Sequence, residues 1–317
     1  MRSIQTTYGF SLSSVKPLEN LQAYRSFCIA ASRKVMDAAP TVLQEKCPCC
    51  DADLKPFGAV EGLDYVTCPE CASFLLRSSV RPEAWAGLLQ EVSNYKRSHH
   101  SSITASRNEN VYLPKLEWIQ HTLRLHSLSR TRILEFATPP SPFLPLLSGS
   151  GVFEEVLSLP EYVLDRPALS GAPTDAAVLL ESLDRSADPR ALLENVAGSL
   201  KKGGLLFVTA LVSSGFDISV LGLKNLYVYP PDRANCFSLG GLVRLLKRAG
   251  FVPVEISTPG VLDVEIVGTH ANHDPSISLS SFERQILDSE PDKREAFQTF
   301  LQENLMSSFA RIVARLS

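Results

Sequence analysis

The chain has 317 residues, 44% of them hydrophobic and 21% charged, which is the composition of an ordinary globular protein. This length predicts two domains, or one large domain with a small appendage. The net charge of -3 argues against a protein whose main partner is a nucleic-acid backbone or an anionic membrane. No stretch approaches the roughly 18 uninterrupted apolar residues of a membrane span, and residues 1–15 lack the apolar run of a secretory signal.

Cysteine usage indicates the cellular compartment. Four of the seven cysteines fall in two tight pairs, which fits bound metal in a reducing compartment better than a disulfide scaffold. The sequence therefore predicts a cytoplasmic protein.

Residues 1–44 are predicted to be an N-terminal helical segment, because residues 18–36 carry apolar side chains at helical spacing. Residues 45–80 are short, rich in turns and punctuated by cysteine. Two Cys-x-x-Cys pairs stand there with seventeen residues between them, at Cys47, Cys50, Cys68 and Cys71. Such a spacing can bring four thiolates into a tetrahedron around zinc.

The residues between the two pairs read as two short strands around Glu61-Gly62, which predicts a zinc ribbon and not a finger with a recognition helix. Because protein would fill all four ligand positions, the predicted zinc is structural and not catalytic. The alternatives are four unrelated buried cysteines, a redox Cys-x-x-Cys, or a ribbon that reads nucleic acid. Cys49 is a spare thiol that could replace a ligand or point away.

Residues 81–130 are predicted to be a helical linker, with an apolar stripe between Val111 and Leu128. The pattern changes in residues 131–270, where short apolar runs alternate with helices. The predicted strands are 132–137, 152–159, 175–180 and 205–212. This alternation indicates βαβ units and a parallel sheet.

Two helix starts are marked by capping residues. Asp188-Pro189 opens a helix that runs to about Leu200, and Ser238 opens a helix that Gly250 closes. The segments 251–257 and 261–268 then predict a terminal antiparallel hairpin around a Thr-Pro-Gly turn. Residues 271–317 are predicted to be C-terminal helices.

The order of ribbon, helical linker and α/β domain resembles bacterial class I S-adenosylmethionine-dependent methyltransferases with an N-terminal cysteine ribbon, a group associated with surface-polysaccharide synthesis. The best-matching stretches are LKKGGLLFV, GFDISVL, YPPDRANCFS and TPGVLDVEIV. The resemblance implies a Rossmann-like seven-stranded sheet whose last strand is antiparallel. It also implies S-adenosylmethionine (SAM) at the carboxyl ends of the first, second and fourth strands.

The resemblance assigns candidate cofactor residues. An acid followed by a glycine-rich loop is expected after the first strand; the acid is Glu135, but the glycine positions hold Ala137, Pro139 and Ser141. The second strand should end in an acid that binds the ribose, and this chain offers Ser158 or Leu157, so that acid is predicted to be missing. The candidate cofactor-binding residues are Glu135, Ala137, Thr138, Ser141, Ser158 and Glu181.

Several polar residues have simpler interpretations. Asp232 and Arg233, the latter where the family carries His, are predicted to be a solvated turn pair. Cys28 and Cys236 are predicted to be plain buried thiols, because neither lies in an electropositive motif. No catalytic residue can be assigned from the sequence.

Three functions follow from this reading. The first is a methyltransferase acting on a sugar or small-molecule acceptor; the second is a catalytically inactive relative that binds a protein partner or acts as a scaffold. The third, an RNA methyltransferase, is disfavoured by the charge. Because the glycines are replaced and the second-strand acid is predicted to be missing, the sequence predicts that SAM binds weakly or not at all.

Overall fold

The structure is a computed structural model that describes residues 11–15, 17–99, 104–128, 131–162 and 173–317. Within these ranges, none of the helices has the length and apolarity that a membrane crossing requires.

The N-terminal half consists of helices around a small ribbon. Helices α1 (Leu12–Val15) and α2 (Leu18–Ala38) come first. The ribbon strands are β1 (Thr41–Leu43), β2 (Lys55–Val60), β3 (Leu63–Thr67), β4 (Phe74–Leu76) and β5 (Ser78–Val80). The predicted helical linker follows as α3 (Pro82–His99), α4 (Thr104–Arg107), a π-helical turn (Asn108–Tyr112) and α5 (Leu113–Leu125).

The remaining strands along the chain are β6 (Arg132–Phe136), β7 (Glu155–Leu159), β8 (Thr174–Leu180), β9 (Leu200–Leu211), β10 (Asn235–Cys236), β11 (Phe251–Ser257) and β12 (Phe309–Leu316). All of these except β10 form one mixed sheet of order β11-β12-β9-β8-β6-β7. Strands β7, β6, β8 and β9 run parallel, whereas β12 is antiparallel to both of its neighbours. This confirms an α/β fold with a parallel centre and an antiparallel strand near the edge.

Helices cover both faces of the sheet, so its central strands are mostly apolar, as buried parallel strands are. The helices are α6 (Leu144–Gly149), α7 (Ser182–Arg185), α8 (Pro189–Ser199), α9 (Phe216–Leu221), α10 (Leu239–Arg248), α11 (Asp263–His273), α12 (Ser281–Leu287) and α13 (Pro291–Glu303). The two predicted caps are confirmed: Asp188 accepts from the N–H groups of Arg190 and Ala191, and Ser238 accepts from that of Gly241.

The predicted terminal hairpin is wrong. Residues 251–257 form β11, but 263–273 form helix α11, and β11 pairs with β12 at the end of the chain. The alternation seen in 261–268 is compatible with a helix, because the buried residues Asp263, Val264, Val267 and His270 also recur at three- to four-residue spacing. The buried carboxylate of Asp263 accepts from Ser307 and Ser308, which ties α11 to the start of β12.

Two further expectations are corrected. Residues 271–317 are not all helical, because β12 enters the sheet between β9 and β11. The sheet also has six strands in the described part of the chain, where the resemblance implied seven.

The ribbon is joined to the α/β region by backbone pairing. Strand β10 lies in the long connection after β9, yet it pairs with β4 and completes a four-stranded sheet of order β10-β4-β3-β2. The amide of Leu76 also donates to the carbonyl of Ala234 at 2.7 Å. The ribbon and this connection therefore share one sheet.

Candidate metal centre and candidate active site

The four predicted cysteines converge at one point. The sulfur atoms of Cys47, Cys50, Cys68 and Cys71 all lie within 4.8 Å of one another. The Sγ atoms of Cys47 and Cys71 are 3.6 Å apart, and those of Cys50 and Cys68 are 3.4 Å apart. A tetrahedral zinc with Zn–S bonds of about 2.3 Å requires sulfur–sulfur separations of roughly 3.8 Å, so the cluster has nearly the size of a zinc site. Cys49 is buried but is not one of the four.

The first knuckle is clamped to the α/β region by two arginines. Arg190 donates to the carbonyl of Pro48 at 2.7 Å, and both Arg190 and Arg248 pair with the exposed carboxylate of Asp51. These cations lower the pKa of Asp51.

The second knuckle packs against the start of α10. The hydroxyl of Ser213 donates to Ala72, and the amide of Ser238 donates to the hydroxyl of Ser73. Gly241 lies so close that an added Cβ would stand 2.5 Å from the Ser73 hydroxyl and 3.3 Å from the Cys71 sulfur. Only glycine fits here without a shift of the ribbon.

A cavity of about 480 Å³ lies at the carboxyl ends of β6 and β8, where open α/β sheets bind their ligands. Residues from α2, α3 and the segment 104–115 line its other side. Its charged lining residues are Lys96, Arg97, Arg107, Lys115, Glu135, Glu181, Arg185, Asp232 and Arg233, and its tyrosines are Tyr24, Tyr112, Tyr227 and Tyr229. A second cavity, among α11, α12 and α13, lies away from this strand edge.

Glu135 is the buried acid of the cavity. It lies near the end of β6 with 1% of its surface exposed, and its Oε1 accepts from the hydroxyl of Ser141 at 2.6 Å. Its Oε2 has no hydrogen-bond partner among the described residues. Burial raises the pKa of Glu135 to about 7, against the opposing effect of the Ser141 hydrogen bond.

The loop after β6 is closed onto the strand ends by its own side chains. Ala137, Thr138 and Ser141, three of the candidate cofactor-binding residues, line the cavity, and the Thr138 hydroxyl donates to Glu161. The carbonyl of Pro139 accepts a hydrogen bond from the side chain of Gln90 in α3 at 2.8 Å. Of the three expected glycine positions, only that of Ser141 carries a hydroxyl; the other two hold Ala137 and Pro139.

The prediction that no acid follows the second strand is wrong. Strand β7 ends at Leu159, and Glu161 follows two residues later with 1% exposure. Its Oε1 pairs with Arg185 at 3.0 Å, while its Oε2 has no partner in the part of the chain that the structure describes. Ser158, the residue predicted for this role, is exposed in mid-strand. Neither Ser158 nor Glu161 is among the residues that line the cavity.

Glu181 follows β8 in a left-handed backbone conformation, with φ of 60°. Its carboxylate pairs with Lys115 at 3.3 Å and with Arg233 at 2.7 Å. It lines the cavity as predicted, but two cations already engage it.

Asp232 and Arg233 are not a solvated turn pair. They are 9% and 5% exposed and belong to a buried ion network in the cavity wall. Asp232 accepts from Tyr24 at 2.9 Å and pairs with Lys96 and Arg185 at 3.1 and 3.7 Å. Burial acts to raise the pKa of Asp232, but its three cationic neighbours lower it to about 2.

Sequence reasoning also missed the π-helical turn at residues 108–112. It brings Arg107 beside Tyr112, with 3.5 Å between guanidinium nitrogen and hydroxyl oxygen. No periodicity signals a π turn, although such turns are frequent at functional sites. Of the two predicted plain thiols, Cys28 and Cys236 are both 0% exposed, as expected.

Several solved structures that are similar to this chain are methyltransferases. A SAM-dependent methyltransferase of Thermotoga maritima shares 18% identity over 74% of this chain and all of its own, with a TM-score of 0.41. The 1,6-didemethyltoxoflavin-N1-methyltransferase of Burkholderia thailandensis, solved with S-adenosylhomocysteine, shares 14% identity over 83% of this chain and 99% of its own, with a TM-score of 0.42. These likenesses are too distant to carry an argument about the site. No curated protein matches the chain.

Residues 81–256 match the family described as methyltransferase domain, and this range is more than half of the 317 residues. It runs from the start of α3 to the end of β11 and so spans the parallel strands and both sides of the cavity. The chain therefore belongs to the methyltransferase-domain family, with the α/β fold of the class I SAM-dependent methyltransferases.

Proposed function

We propose that this protein is a SAM-dependent methyltransferase that acts on a small molecule held in the 480 Å³ cavity. The observation that carries the proposal is the buried Oε2 of Glu135, which lines this cavity and has no hydrogen-bond partner among the described residues. Buried polar atoms are normally hydrogen-bonded, so an unsatisfied acceptor in the cavity wall indicates a ligand with a donor. The Oε2 of Glu161, two residues beyond β7 and outside the cavity lining, is likewise without a partner in the described ranges.

The two acids suit the donors of SAM. Glu161 follows the second strand, where the family binds the ribose hydroxyls, and Glu135 follows the first. Ala137, Thr138 and Ser141 complete the proposed cofactor end of the cavity. SAM supplies an electrophilic methyl group on a sulfonium sulfur, so the protein has chiefly to orient the acceptor in line with it.

The assignment of Glu161 to the ribose removes one of the two reasons for predicting that SAM binds weakly. That prediction counted a missing acid and a lost glycine loop, and only the second remains. A hydrogen bond to a charged group contributes about 1.5–3 kcal/mol, so Glu161 restores roughly one to two orders of magnitude of affinity. We therefore expect measurable binding of the cofactor.

A small acceptor, a sugar among the possibilities, fits the enclosure better than a polymer. The cavity lies within the 300–1,000 Å³ that small-molecule sites occupy. Helices α2 and α3 line it opposite the strand ends, which limits the access of water and of an extended chain.

We also propose that the cysteine cluster holds one structural zinc. The four sulfurs supply a complete soft ligand set at nearly the spacing that zinc requires. The ribbon then supports the cavity wall, because the wall residues Asp232 and Arg233 stand just before β10, the strand that pairs with the ribbon. The zinc would have no part in the chemistry.

The test of the cofactor site is calorimetric titration of the purified protein with SAM and with S-adenosylhomocysteine. Saturable binding at micromolar concentrations would support the methyltransferase. The matched variants are Glu135→Gln, which should weaken binding, and Glu155→Gln, which removes an exposed acid at the far end of β7 and should not.

The inactive alternative makes the opposite prediction. A scaffold that had lost its cofactor site would show no heat with either compound, and Glu135→Gln would raise its stability by removing a buried carboxyl of raised pKa. Absence of binding together with that stabilisation would overturn the proposed function.

A further inference from the structure

We propose that the methyl acceptor carries an oxyanion, a carboxylate or a phosphate, which Arg107 binds at the cavity wall formed by residues 104–115. This inference rests on the proposed function in one respect, since only a methyltransferase has a methyl acceptor. The anion site itself rests on the residues around Arg107.

The π turn places Arg107 and Tyr112 on one face. In an α-helix, residues five apart point about 140° away from each other, since each residue turns the helix by about 100°. In a π-helix the hydrogen bonds run from i to i+5, so residues five apart lie nearly above one another. The Arg107 guanidinium accordingly lies 5.7 Å from the centre of the Tyr112 ring, and both residues line the cavity.

Arg107 differs from the other half-buried or buried cations of the cavity in its partners. Lys96 and Arg185 pair with Asp232, and Lys115 and Arg233 pair with Glu181. In the described ranges, no carboxylate lies within 4.0 Å of Arg107, and its hydrogen bond goes to the hydroxyl of Tyr112. A guanidinium at a cavity wall without an acid beside it can form a bidentate pair with a ligand carboxylate or phosphate.

The pKa of Tyr112 indicates that the electrostatic potential around its hydroxyl is positive. Burial acts to raise the pKa of Tyr112, but Arg107, Lys115 and Lys96 outweigh burial and lower it. The pKa of Glu135, in contrast, responds to Ser141, Glu161 and Arg185. The part of the cavity around Arg107 and Tyr112, the cationic end, therefore suits an anion.

Aromatic rings surround the cationic end. Tyr24 and Tyr229 meet edge to face at 6.1 Å, and Tyr112 and Tyr227 line the same cavity. These rings offer apolar surface for the body of an acceptor, while the guanidinium fixes its orientation. An aromatic anion is thus a suitable probe.

The experiment titrates phenyl phosphate into protein saturated with S-adenosylhomocysteine, and repeats the titration with benzyl alcohol as the neutral counterpart. We expect phenyl phosphate to bind in the presence of the cofactor product and benzyl alcohol to bind more weakly. Arg107→Gln should weaken phenyl phosphate binding about ten- to a hundredfold, since it removes a charged hydrogen-bond donor. Arg124→Gln, which removes an exposed arginine of the neighbouring helix α5, should leave it unchanged.

The proposal would be overturned if benzyl alcohol bound as tightly as phenyl phosphate, or if Arg107→Gln bound phenyl phosphate as tightly as the wild type. It would also be overturned by the absence of saturable phenyl phosphate binding below about 10 mM. Competition between phenyl phosphate and S-adenosylhomocysteine would also overturn it, because Arg107 would then hold the cofactor's own carboxylate. If the cofactor product does not bind at all, the proposed function fails, whereas titration of phenyl phosphate into the ligand-free protein still decides the anion site.

Discussion

The cysteine ribbon and the loop after β6 are two regions that sequence reasoning treated alike and that the structure separates. In the ribbon, the spacing of four identical side chains indicated the cluster, and all four sulfurs converge. In the loop, glycines were expected and absent, and the acid judged missing stands two residues beyond its strand, at Glu161. A site made of identical side chains at fixed spacing can be recognised in a sequence. A site made of residues at strand ends can be recognised only if the end of each strand is predicted correctly.

The largest expected effect concerns the ribbon. Cys68→Ser should abolish zinc binding and unfold the ribbon, because metal binding and folding are coupled in such sites. Metal analysis of freshly purified, reduced protein should fall from about one zinc per chain to none. Cys49→Ser, the matched control at the buried thiol outside the cluster, should retain the metal. A wild-type protein without zinc would show that the cluster is not a metal site.

The second effect tests the acid after β7. Glu161→Gln should weaken S-adenosylhomocysteine binding by about ten- to a hundredfold, the value of one charge-assisted hydrogen bond. Calorimetry would measure it, with circular dichroism to verify folding, because Arg185 loses a buried partner. An unchanged dissociation constant would mean that this acid does not serve the ribose and that the original reading of the strand end was right.

The third effect is a pH dependence. Glu135 has a folded pKa of about 7, above its ordinary value of 4.5, so the native state binds more protons than the unfolded state between these values. The free energy of unfolding of the ligand-free protein should therefore fall as pH rises through this window, and its loss should be complete above pH 7.

The matched variant for this dependence is Glu135→Gln. Between pH 5 and 8, the wild type should lose roughly 2 kcal/mol more than the variant in urea-unfolding experiments. Asp184 and Asp217 also have raised pKa values, but they contribute to both proteins and cancel in the difference. Parallel pH profiles would show that Glu135 titrates normally and that its burial is relieved.

The smallest effects compare two attachments of the ribbon. Tyr65→Phe removes a buried hydrogen bond of 2.8 Å to the carbonyl of Arg233 and should cost about 1–2 kcal/mol. Asp51→Asn keeps a residue that tolerates the positive φ of 61° but removes the exposed ion pairs. It should leave the melting temperature unchanged at physiological salt, because exposed pairs are screened. The reverse ranking would show that surface charge holds the ribbon in place.

The centre of the sheet could be predicted because its signals are local. Strands β6, β8 and β9 each contain a short run of mostly apolar residues, and the helices after Asp188 and Ser238 carry their own caps. The end of the chain could not, because β12 enters the sheet from about fifty residues beyond β11. No local pattern states that a strand so distant will lie between two earlier ones.

The candidate site was predictable in part for the same reason. Glu135 and Glu181 follow recognisable strands, and the structure brings both to the cavity. Asp232 and Arg233 resemble a surface turn in sequence, and only their tertiary surroundings bury them in an ion network. The Arg107–Tyr112 pair depends on a π turn that ordinary helical spacing does not reveal.

Strand β10 has one further consequence. Its two residues hydrogen-bond to the ribbon, while the residues just before it form the cavity wall. If the four cysteines hold zinc as proposed, a ligand that stabilises this wall also favours the paired strand, and the metal favours the wall in return, because thermodynamic coupling is reciprocal. Occupancy of the cavity would then slow the loss of that zinc to a chelator, and free zinc would raise the affinity of the cavity for its ligand.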